Sequence, residues 1–285
     1  MKIGIIGGSG LYQMEGLEEL EEHSVSTPFG GPSDVFVGGR LGGREVVFLP
    51  RHGRGHRLLP SEIPFRANLW GMKKLGVTHL LSVSAVGSLK EEIVPGHLVF
   101  PDQFIDRTVK RDSTFFGRGI VAHIQFGNPV CPTLLKTLDR CAEKQGIPHH
   151  TGGTYVCMEG PAFSTKAESH MYRSWGGAVV GMTNVQEAKL AREAEMCFAT
   201  IALATDYDCW HETEQEVSVD AILEVMRKNI AASRRMLAEV IGSIAGERTC
   251  GCGDALQFAI LTPVAEIPER TKKELEPIIG RHLSS

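Results

Sequence analysis

The sequence predicts an α/β fold, a single-domain mixed β-sheet flanked by helices. Three observations carry this. Short apolar runs with strand character alternate with helical patterns along most of the chain, which implies a largely parallel sheet with helices on both faces. Two strand-like runs at 34–37 and 45–49 flank the glycine-rich stretch Gly38-Gly39-Arg40-Leu41-Gly42-Gly43, so they read as a hairpin that makes the sheet mixed. No linker rich in Pro, Gly or Ser divides the 285 residues, so one domain over 1–285 is expected, with a less regular tail from about 246.

The elements follow in order. The first strand is expected over 2–6, ending at Gly7-Gly8-Ser9-Gly10. A helix is expected over 63–75, with Pro64 near its start and Gly76 just past its end. An apolar strand over 78–83 runs into Ser84-Ala85-Val86-Gly87-Ser88, and a short strand is expected over 97–100. Then come a helix at 133–145, a strand at 153–158, a helix at 165–175, a strand at 178–181, a helix at 185–195 and a strand at 196–205. A long amphipathic helix over 219–245 precedes the tail.

Composition narrows the function classes. Hydrophobic residues make up 42% and charged residues 22% of the chain, the balance of a soluble globular protein. The net charge of −4 argues against a nucleic-acid partner but not against a local pocket for a small anion. No uninterrupted apolar run reaches membrane-spanning length, so no membrane partner is expected. The opening MKIGIIGGSG reads as a strand and turn rather than a signal peptide. Seven scattered cysteines suit a reducing cytoplasm better than a secreted disulfide framework. Cys250-Gly251-Cys252 leaves two readings, a small disulfide or reduced thiols, and is too short for a zinc site by itself.

Several strand ends offer anion donors. Gly8-Ser9-Gly10-Leu11-Tyr12-Gln13 has Gln where a dinucleotide fingerprint needs its third glycine. It reads as a phosphate cradle or a plain tight turn. Arg51-His52-Gly53-Arg54-Gly55-His56-Arg57 follows a strand; Arg binds phosphate through paired N–H groups and His adds a donor, though a solvated loop is the other reading. Ser84-Ala85 and Met182-Thr183 close two more strands. Ligands of open α/β sheets gather outside the carboxyl ends of strands, where Ser9, Arg51, His52, Ser84 and Thr183 are all expected.

The strand over 196–205 ends in Asp206-Tyr207-Asp208. Two carboxylates one residue apart point the same way in an extended chain. No further ligand has metal spacing with them, so no metal is expected. A solvated turn or helix cap is one reading. The other is recognition of a nitrogenous leaving group, since crowded carboxylates in a dry site hold one proton at neutral pH.

Taken together, Gly7-Gly8-Ser9-Gly10, Arg51-His52-Gly53-Arg54, Ser82-Val83-Ser84-Ala85-Val86-Gly87-Ser88, Asp102-Gln103-Phe104-Ile105-Asp106, Glu159-Gly160-Pro161, Gly181-Met182-Thr183 and Ala204-Thr205-Asp206-Tyr207-Asp208 occur in this order. The set resembles the methylthioadenosine-cleaving branch of the trimeric purine nucleoside phosphorylase family, from residue 2 to about 245. The resemblance implies a nucleoside phosphorylase-like fold and a pentosyl transfer. In that reaction phosphate attacks C1′ of methylthioadenosine and releases adenine and 5-methylthioribose 1-phosphate. It implies phosphate contacts at Ser9, Arg51, His52, Ser84, Ala85 and Thr183, and substrate contacts at Phe163, Met182, Asp206, Tyr207 and Asp208. Ser164 and Val219 fall at the family's specificity positions. His123 falls where a neighbouring subunit completes the 5′-methylthio pocket, and Val219, Ile222 and Leu223 share one helix face that lines that pocket or simply packs in the core. Small-molecule nucleoside and phosphate are the implied partners, phosphate being a co-substrate, with no metal or organic cofactor and a homotrimer or a dimer of trimers in the cytoplasm.

Asp206 is the expected catalytic acid, protonating adenine N7 while Asp208 accepts from the N6 amino group. Two other functions stay open on the same residues. A 6-oxopurine nucleoside or methylthioinosine phosphorylase would keep the fold, although an oxopurine is better met by Asn than by Asp. A non-catalytic purine-binding protein would keep the pocket alone.

Overall fold

The structure, a computed structural model, describes residues 1–8, 16–211 and 219–283; of residues 219–224 and 226–228 it describes the backbone only. Its centre is an 11-stranded mixed sheet. The first strand, β1 (Lys2–Gly7), lies parallel between β4 (Arg44–Pro50) and β5 (Val77–Ser88). The predicted hairpin forms between β3 (Phe36–Leu41) and β4, and its turn is only Gly42-Gly43, both with positive φ of 55° and 75°. That pair of left-handed residues suits the right-handed twist of the flanking strands. The sheet begins one strand further out, at β2 (Leu17–His23), whose sequence LEELEEH is too acidic to read as a strand. Its exposed glutamates suit an edge, where charge blocks pairing with other chains.

Beyond β5 the chain adds β6 (Leu98–Phe100), β7 (Gln103–Asp106), α2 (Pro132–Lys144), β8 (His149–Thr151), β9 (Thr154–Cys157), α3 (Lys166–Ser174), β10 (Gly177–Gly181), α4 (Val185–Glu193), β11 (Cys197–Asp206) and α5 (Val219–Ser243). Helix α1 (Phe65–Lys74) precedes β5. The segments β7 and β8 are short strands absent from the sequence reading. The tail beyond α5 is less regular than the rest but holds the short helices α6 (Glu269–Glu274) and α7 (Glu276–Ile279).

Alternation along the central strands separates two cores. Leu81 and Val83 of β5 with Ala199, Ile201 and Leu203 of β11 pack under α2 and α5, against Leu134, Leu138, Leu237 and Val240. Leu80 and Phe198 face the opposite way, toward Phe65, Leu69 and Met72 of α1 and Ala188 and Ala191 of α4. Burying each of the Val, Leu, Ile, Phe and Met side chains contributes about 1.5–3 kcal/mol, so both faces of the sheet are fixed. Among the described residues no helix is long and apolar enough to cross a membrane.

The functional edge depends on the length of β5. The sequence reading ends this strand at residue 83; the structure carries it to Ser88, so Ser84 and Ala85 sit in the ladder rather than in a loop. Ser84 pairs with Ala202 of β11, and Gly87 pairs with both Asp206 of β11 and Val180 of β10. This convergence brings three strands to one point.

Candidate active site

The Asp206 carboxylate ends β11 over Gly87, where an added Cβ would lie 3.1 Å from Asp206 Oδ1 and 3.2 Å from Asp208 Cβ. Gly87 thus leaves the room that the two aspartates occupy. Asp206 accepts from Thr205 Oγ1 at 2.7 Å and from the Asp208 backbone N–H at 2.8 Å. Asp208 has a left-handed φ of 53°, which folds the chain back and brings its carboxyl beside Asp206. Its Oδ2 is buried with no hydrogen bond of ordinary geometry among the described residues, although the Ser164 and Ser169 hydroxyls lie close to the carboxyl. Burial, first of all, raises the pKa of both carboxyls. A buried oxygen lacking a partner is costly unless a ligand completes it.

Tyr207 turns elsewhere. Its hydroxyl donates to the Glu91 carbonyl at 3.2 Å, and its ring stacks on His211 at 4.6 Å. The ring expected to contact substrate is thus engaged by its own neighbours, Glu91 and His211, while the left-handed turn at Asp208, rather than strand alternation, sets the two carboxyls together.

Ser84 Oγ is a second buried oxygen without a hydrogen bond of ordinary geometry among the described residues; the Tyr155 hydroxyl, equally unsatisfied, lies beside it. Ala85, next to it, is half-buried. Thr183 is buried at the junction of β10 and α4, a helix start where backbone N–H groups favour an anion. The structure thus places Ser84 and Ala85 in the last rungs of β5's ladder, Thr183 after β10 and the carboxylate pair at the end of β11, on adjoining strands. Ser9 lies outside the described residues.

Arg51 and His52 depart from the free donors expected. The Arg51 guanidinium is buried and committed: Nε and Nη2 donate to Glu187 at 2.5 and 3.1 Å, Nη2 also to Ser82 Oγ at 2.7 Å, and Nη1 to the Val83 carbonyl at 2.9 Å. Ser82 Oγ donates to Glu187 at 2.6 Å, Asn184 Nδ2 to Ser82 Oγ at 3.1 Å, and Thr200 Oγ1 to Asn184 Oδ1 at 2.8 Å. Arg54 and Arg57 are likewise engaged, by Glu22 and Asp34 and by the Ser33 carbonyl. The expected cationic patch is thus largely neutralised by its own surroundings. His52 Nδ1 lies 2.8 Å from the Leu58 carbonyl. A carbonyl only accepts, so Nδ1 carries the proton and Nε2 is left as an acceptor in the neutral ring. Burial lowers the His52 pKa to about 4, so the donor role expected of it is corrected to an acceptor role at neutral pH.

Glu187, Asn184, Ser82 and Arg111 were not singled out from sequence. Asn184-Val185-Gln186-Glu187 looks like a capping box, yet Asn184 makes no side-chain cap. Both polar side chains turn into the sheet instead. Arg111 is fully buried and donates to the Met158, Glu159 and Met182 carbonyls and to Glu159 Oε1. It ties the loop after β9 to the loop after β10, the two segments that carry Phe163 and Met182.

The remaining residues are dispersed. Met182 is half-buried, its sulfur packed against Gly160. Phe163 is 54% exposed. Ser164 Oγ donates to Met158 Sδ at 3.5 Å and lies close enough to Asp208 to help hold its charged form. Val219, Ile222 and Leu223 open α5, but their side chains lie outside the described residues. His123 is exposed, not part of this cleft, and its backbone donates to the Ala259 carbonyl at 2.9 Å. A cavity of about 190 Å³ between Phe29, Phe65, Arg66 and Lys110 contains none of the predicted site residues.

Known proteins are similar to this chain along most of its length. The chain is 60% identical over 282 residues to the S-methyl-5′-thioadenosine phosphorylase of Geobacter sulfurreducens, covering 99% of each chain. It is 57% identical to that of Koribacter versatilis, covering 99% of this chain and 96% of the relative. A crystal structure of a methylthioadenosine phosphorylase from an antarctic soil metagenomic library superposes with a TM-score of 0.93 at 48% identity, covering 97% and 98% of the two chains. The Schistosoma mansoni methylthioadenosine phosphorylase in complex with adenine gives 0.80 at 39% identity, over 87% and 93%. A family model described as the phosphorylase superfamily matches residues 2–242, and on that match and those full-length likenesses the chain belongs to the phosphorylase superfamily.

Proposed function

We propose that the chain catalyses phosphorolysis of S-methyl-5′-thioadenosine to adenine and 5-methylthioribose 1-phosphate. The observation that carries this reading is the half-buried Asp206–Asp208 pair, with the enclosed Asp208 Oδ2 lacking a hydrogen bond of ordinary geometry, on a strand adjoining the buried Ser84 hydroxyl. Ser84 is three residues from Gly87, where Asp206 sits; at about 3.3 Å per residue that is roughly 10 Å along the strand. The separation leaves room for a ribosyl unit between phosphate at one end and a purine edge at the other. The names of the full-length relatives support the same substrate.

The chemistry follows from that placement. Phosphate, held by Ser84, Ala85 and Thr183, with Ser9 as a further contact and His52 Nε2 accepting from the phosphate hydroxyl, attacks C1′ as the C1′–N9 bond breaks. The bonding pair leaves with adenine, and positive charge grows on the ribosyl ring. A preplaced phosphate anion stabilises that charge. Asp206 gives its proton to N7, making adenine a better leaving group, and Asp208 accepts from the N6 amino group. Burial keeps Asp206 protonated to a higher pH than an exposed aspartate. Arg51 acts beneath this layer, holding β1, β5 and α4 together rather than presenting a free cation. In this reading no metal or organic cofactor enters the reaction, and phosphate is a co-substrate.

The same reading includes a homotrimer or a dimer of trimers in the cytoplasm, with His123 lent to a neighbour's pocket. Its support is an exposed apolar strip: Val121, Phe258 and Leu261 are 49%, 89% and 62% exposed, beside the bridge between Ala122 and Ile260. The test of substrate is direct. Methylthioadenosine, methylthioinosine and inosine are each supplied with phosphate and the released base is followed. Release of adenine in large excess over hypoxanthine is expected. Preference for an oxopurine overturns the base assignment, and tight purine binding without phosphate-dependent turnover overturns the enzyme.

A further inference from the structure

Away from the catalytic edge, four of the seven cysteines converge. The sulfurs of Cys131, Cys197, Cys250 and Cys252 all lie within 4.8 Å of one another. Cys131 immediately precedes α2, Cys197 opens β11, and Cys250 and Cys252 lie in the turn that follows α5. Three of the four are buried and Cys250 is half-buried. The other three cysteines, Cys141, Cys157 and Cys209, stand outside the group.

We propose that these four residues form a tetrathiolate site for one Zn²⁺ ion. The spacing carries the argument. Cys131 and Cys250 sulfurs are 3.6 Å apart, and Cys197 and Cys250 sulfurs 3.4 Å. A disulfide needs about 2.0 Å. Four sulfurs about 2.3 Å from a shared zinc stand roughly 3.8 Å apart along the tetrahedral edges. The observed separations belong to ligands around a common centre, not to bonded pairs. Cys-x-Cys is too short to enclose a metal alone; the fold completes the set with one sulfur from a helix start and one from a central strand.

The surroundings suit the charge. Binding by four thiols releases four protons to solvent and leaves a centre of net charge −2. The start of α2 at Cys131 offers its positive end. Arg248, packed over Gly253 next to Cys252, places a guanidinium beside the group. A cavity of about 20 Å³ lined by His79, Cys131, Cys197, Arg248 and Cys250 adjoins the sulfurs. Soft thiolates in tetrahedral array select zinc over magnesium or calcium.

The site is structural. Cys197 opens β11 and Asp206 ends it, so ten residues, about 30 Å of strand, separate zinc from the carboxylate pair. What the ion fastens is the segment beyond α5. That segment returns to bridge Ala122 through Ile260 and to hold the His123 backbone through the Ala259 carbonyl.

The test uses the whole protein, incubated with zinc chloride under reducing conditions and then desalted. Metal analysis and a thiol count after denaturation in chelator, without reductant, are run together. About one zinc per chain is expected, with all seven thiols free. Cys197→Ser and Cys252→Ser should each drop the zinc content at least fivefold. Loading Co²⁺ instead should give the intense visible bands of tetrahedral thiolate coordination, a readout that needs no variant. Seven free thiols with less than about 0.1 zinc per chain would overturn the proposal. So would a thiol count two or four lower, which would mean one or two disulfides in place of the metal.

Discussion

Arg51 donates from Nε to Glu187 Oε1 at 2.5 Å, joining the residue after β4 to the first turn of α4 through the centre of the sheet. The two side chains are 3% and 1% exposed. Removing one partner of such a pair leaves a charge buried without compensation, at a cost of about 3–5 kcal/mol. Arg51→Ala and Glu187→Gln are each expected to lower the unfolding free energy by that order in urea denaturation. The double variant Arg51→Met/Glu187→Leu should cost less than the two singles together. Single losses below about 1 kcal/mol would mean that the pair does not hold the strands.

Ser84 makes the opposite prediction. Its hydroxyl is buried and makes no hydrogen bond of ordinary geometry among the described residues, its close neighbour being the Tyr155 hydroxyl, so Ser84→Ala removes at most a weak contact. Stability is expected to stay within about 0.5 kcal/mol of the parent. A hydrogen bond to charged phosphate is worth about 1.5–3 kcal/mol, so the phosphate KM should rise roughly 10- to 150-fold. Steady-state kinetics at varied phosphate checks it; an unchanged phosphate KM removes Ser84 from the site.

Glu193 governs a pH dependence of folding. Its carboxyl accepts from the Phe115 N–H and from Thr114 Oγ1, each at 2.7 Å, and burial pushes its pKa up to about 7 from 4.5. A raised carboxyl favours the folded state while protonated. This contribution is whole below the unfolded pKa of 4.5 and is lost as pH rises through about 7. The loss is on the order of 3 kcal/mol. Glu193→Gln should remove that slope, so its stability relative to the parent should improve steadily across this window. Parallel curves for the two proteins from acid to neutral pH would contradict the assignment.

The fold was legible where local pattern and tertiary role agree. The run at 2–6, the helix after Pro64 and the apolar strand before Asp206 all place one face or both in the core, and all form close to the predicted bounds. Strand β2 was not legible, because an exposed edge selects charge rather than apolar alternation. At the site, Ser84 reads as following an apolar strand, although β5 runs on to Ser88; Asp206 and Thr183 could be found because each ends or follows one. Whether an Arg is free could not, since Arg51 is claimed by Glu187 from 136 residues away. The convergence of Cys131 with Cys250 is hidden for the same reason, with 119 residues between them.

Assembly is tested at the exposed strip. Phe258 and Leu261 are 89% and 62% exposed, and a closed ring would cover them. Phe258→Glu with Leu261→Glu should shift sedimentation from a trimer or larger ring to a single subunit. If His123 completes a neighbour's pocket, turnover should fall along with dissociation and the KM for methylthioadenosine should rise. A parent protein that sediments as one subunit with full turnover would refute the shared pocket.

Base choice is tested at the residue proposed to carry it. Asp206 is half-buried, its pKa raised first of all by that burial, and its two oxygens already accept from Thr205 Oγ1 and the Asp208 N–H. As an acid it serves only while protonated, so the rate that depends on it should fall as pH rises through its pKa in the complex. Asn keeps the size and hydrogen-bonding reach of Asp but has no acidic proton. Asp206→Asn should therefore cut methylthioadenosine phosphorolysis by about 10²–10⁴-fold, the range for loss of a general acid, and flatten the alkaline limb. Its effect on inosine should be smaller, because an amide N–H meets O6 where a carboxylate repels it. The ratio of the two activities should thus move toward the oxopurine even as both fall. A threefold change corresponds to only about 0.65 kcal/mol of barrier. If turnover of methylthioadenosine stays within that margin and the pH profile keeps its shape, the proton reaches N7 from another group.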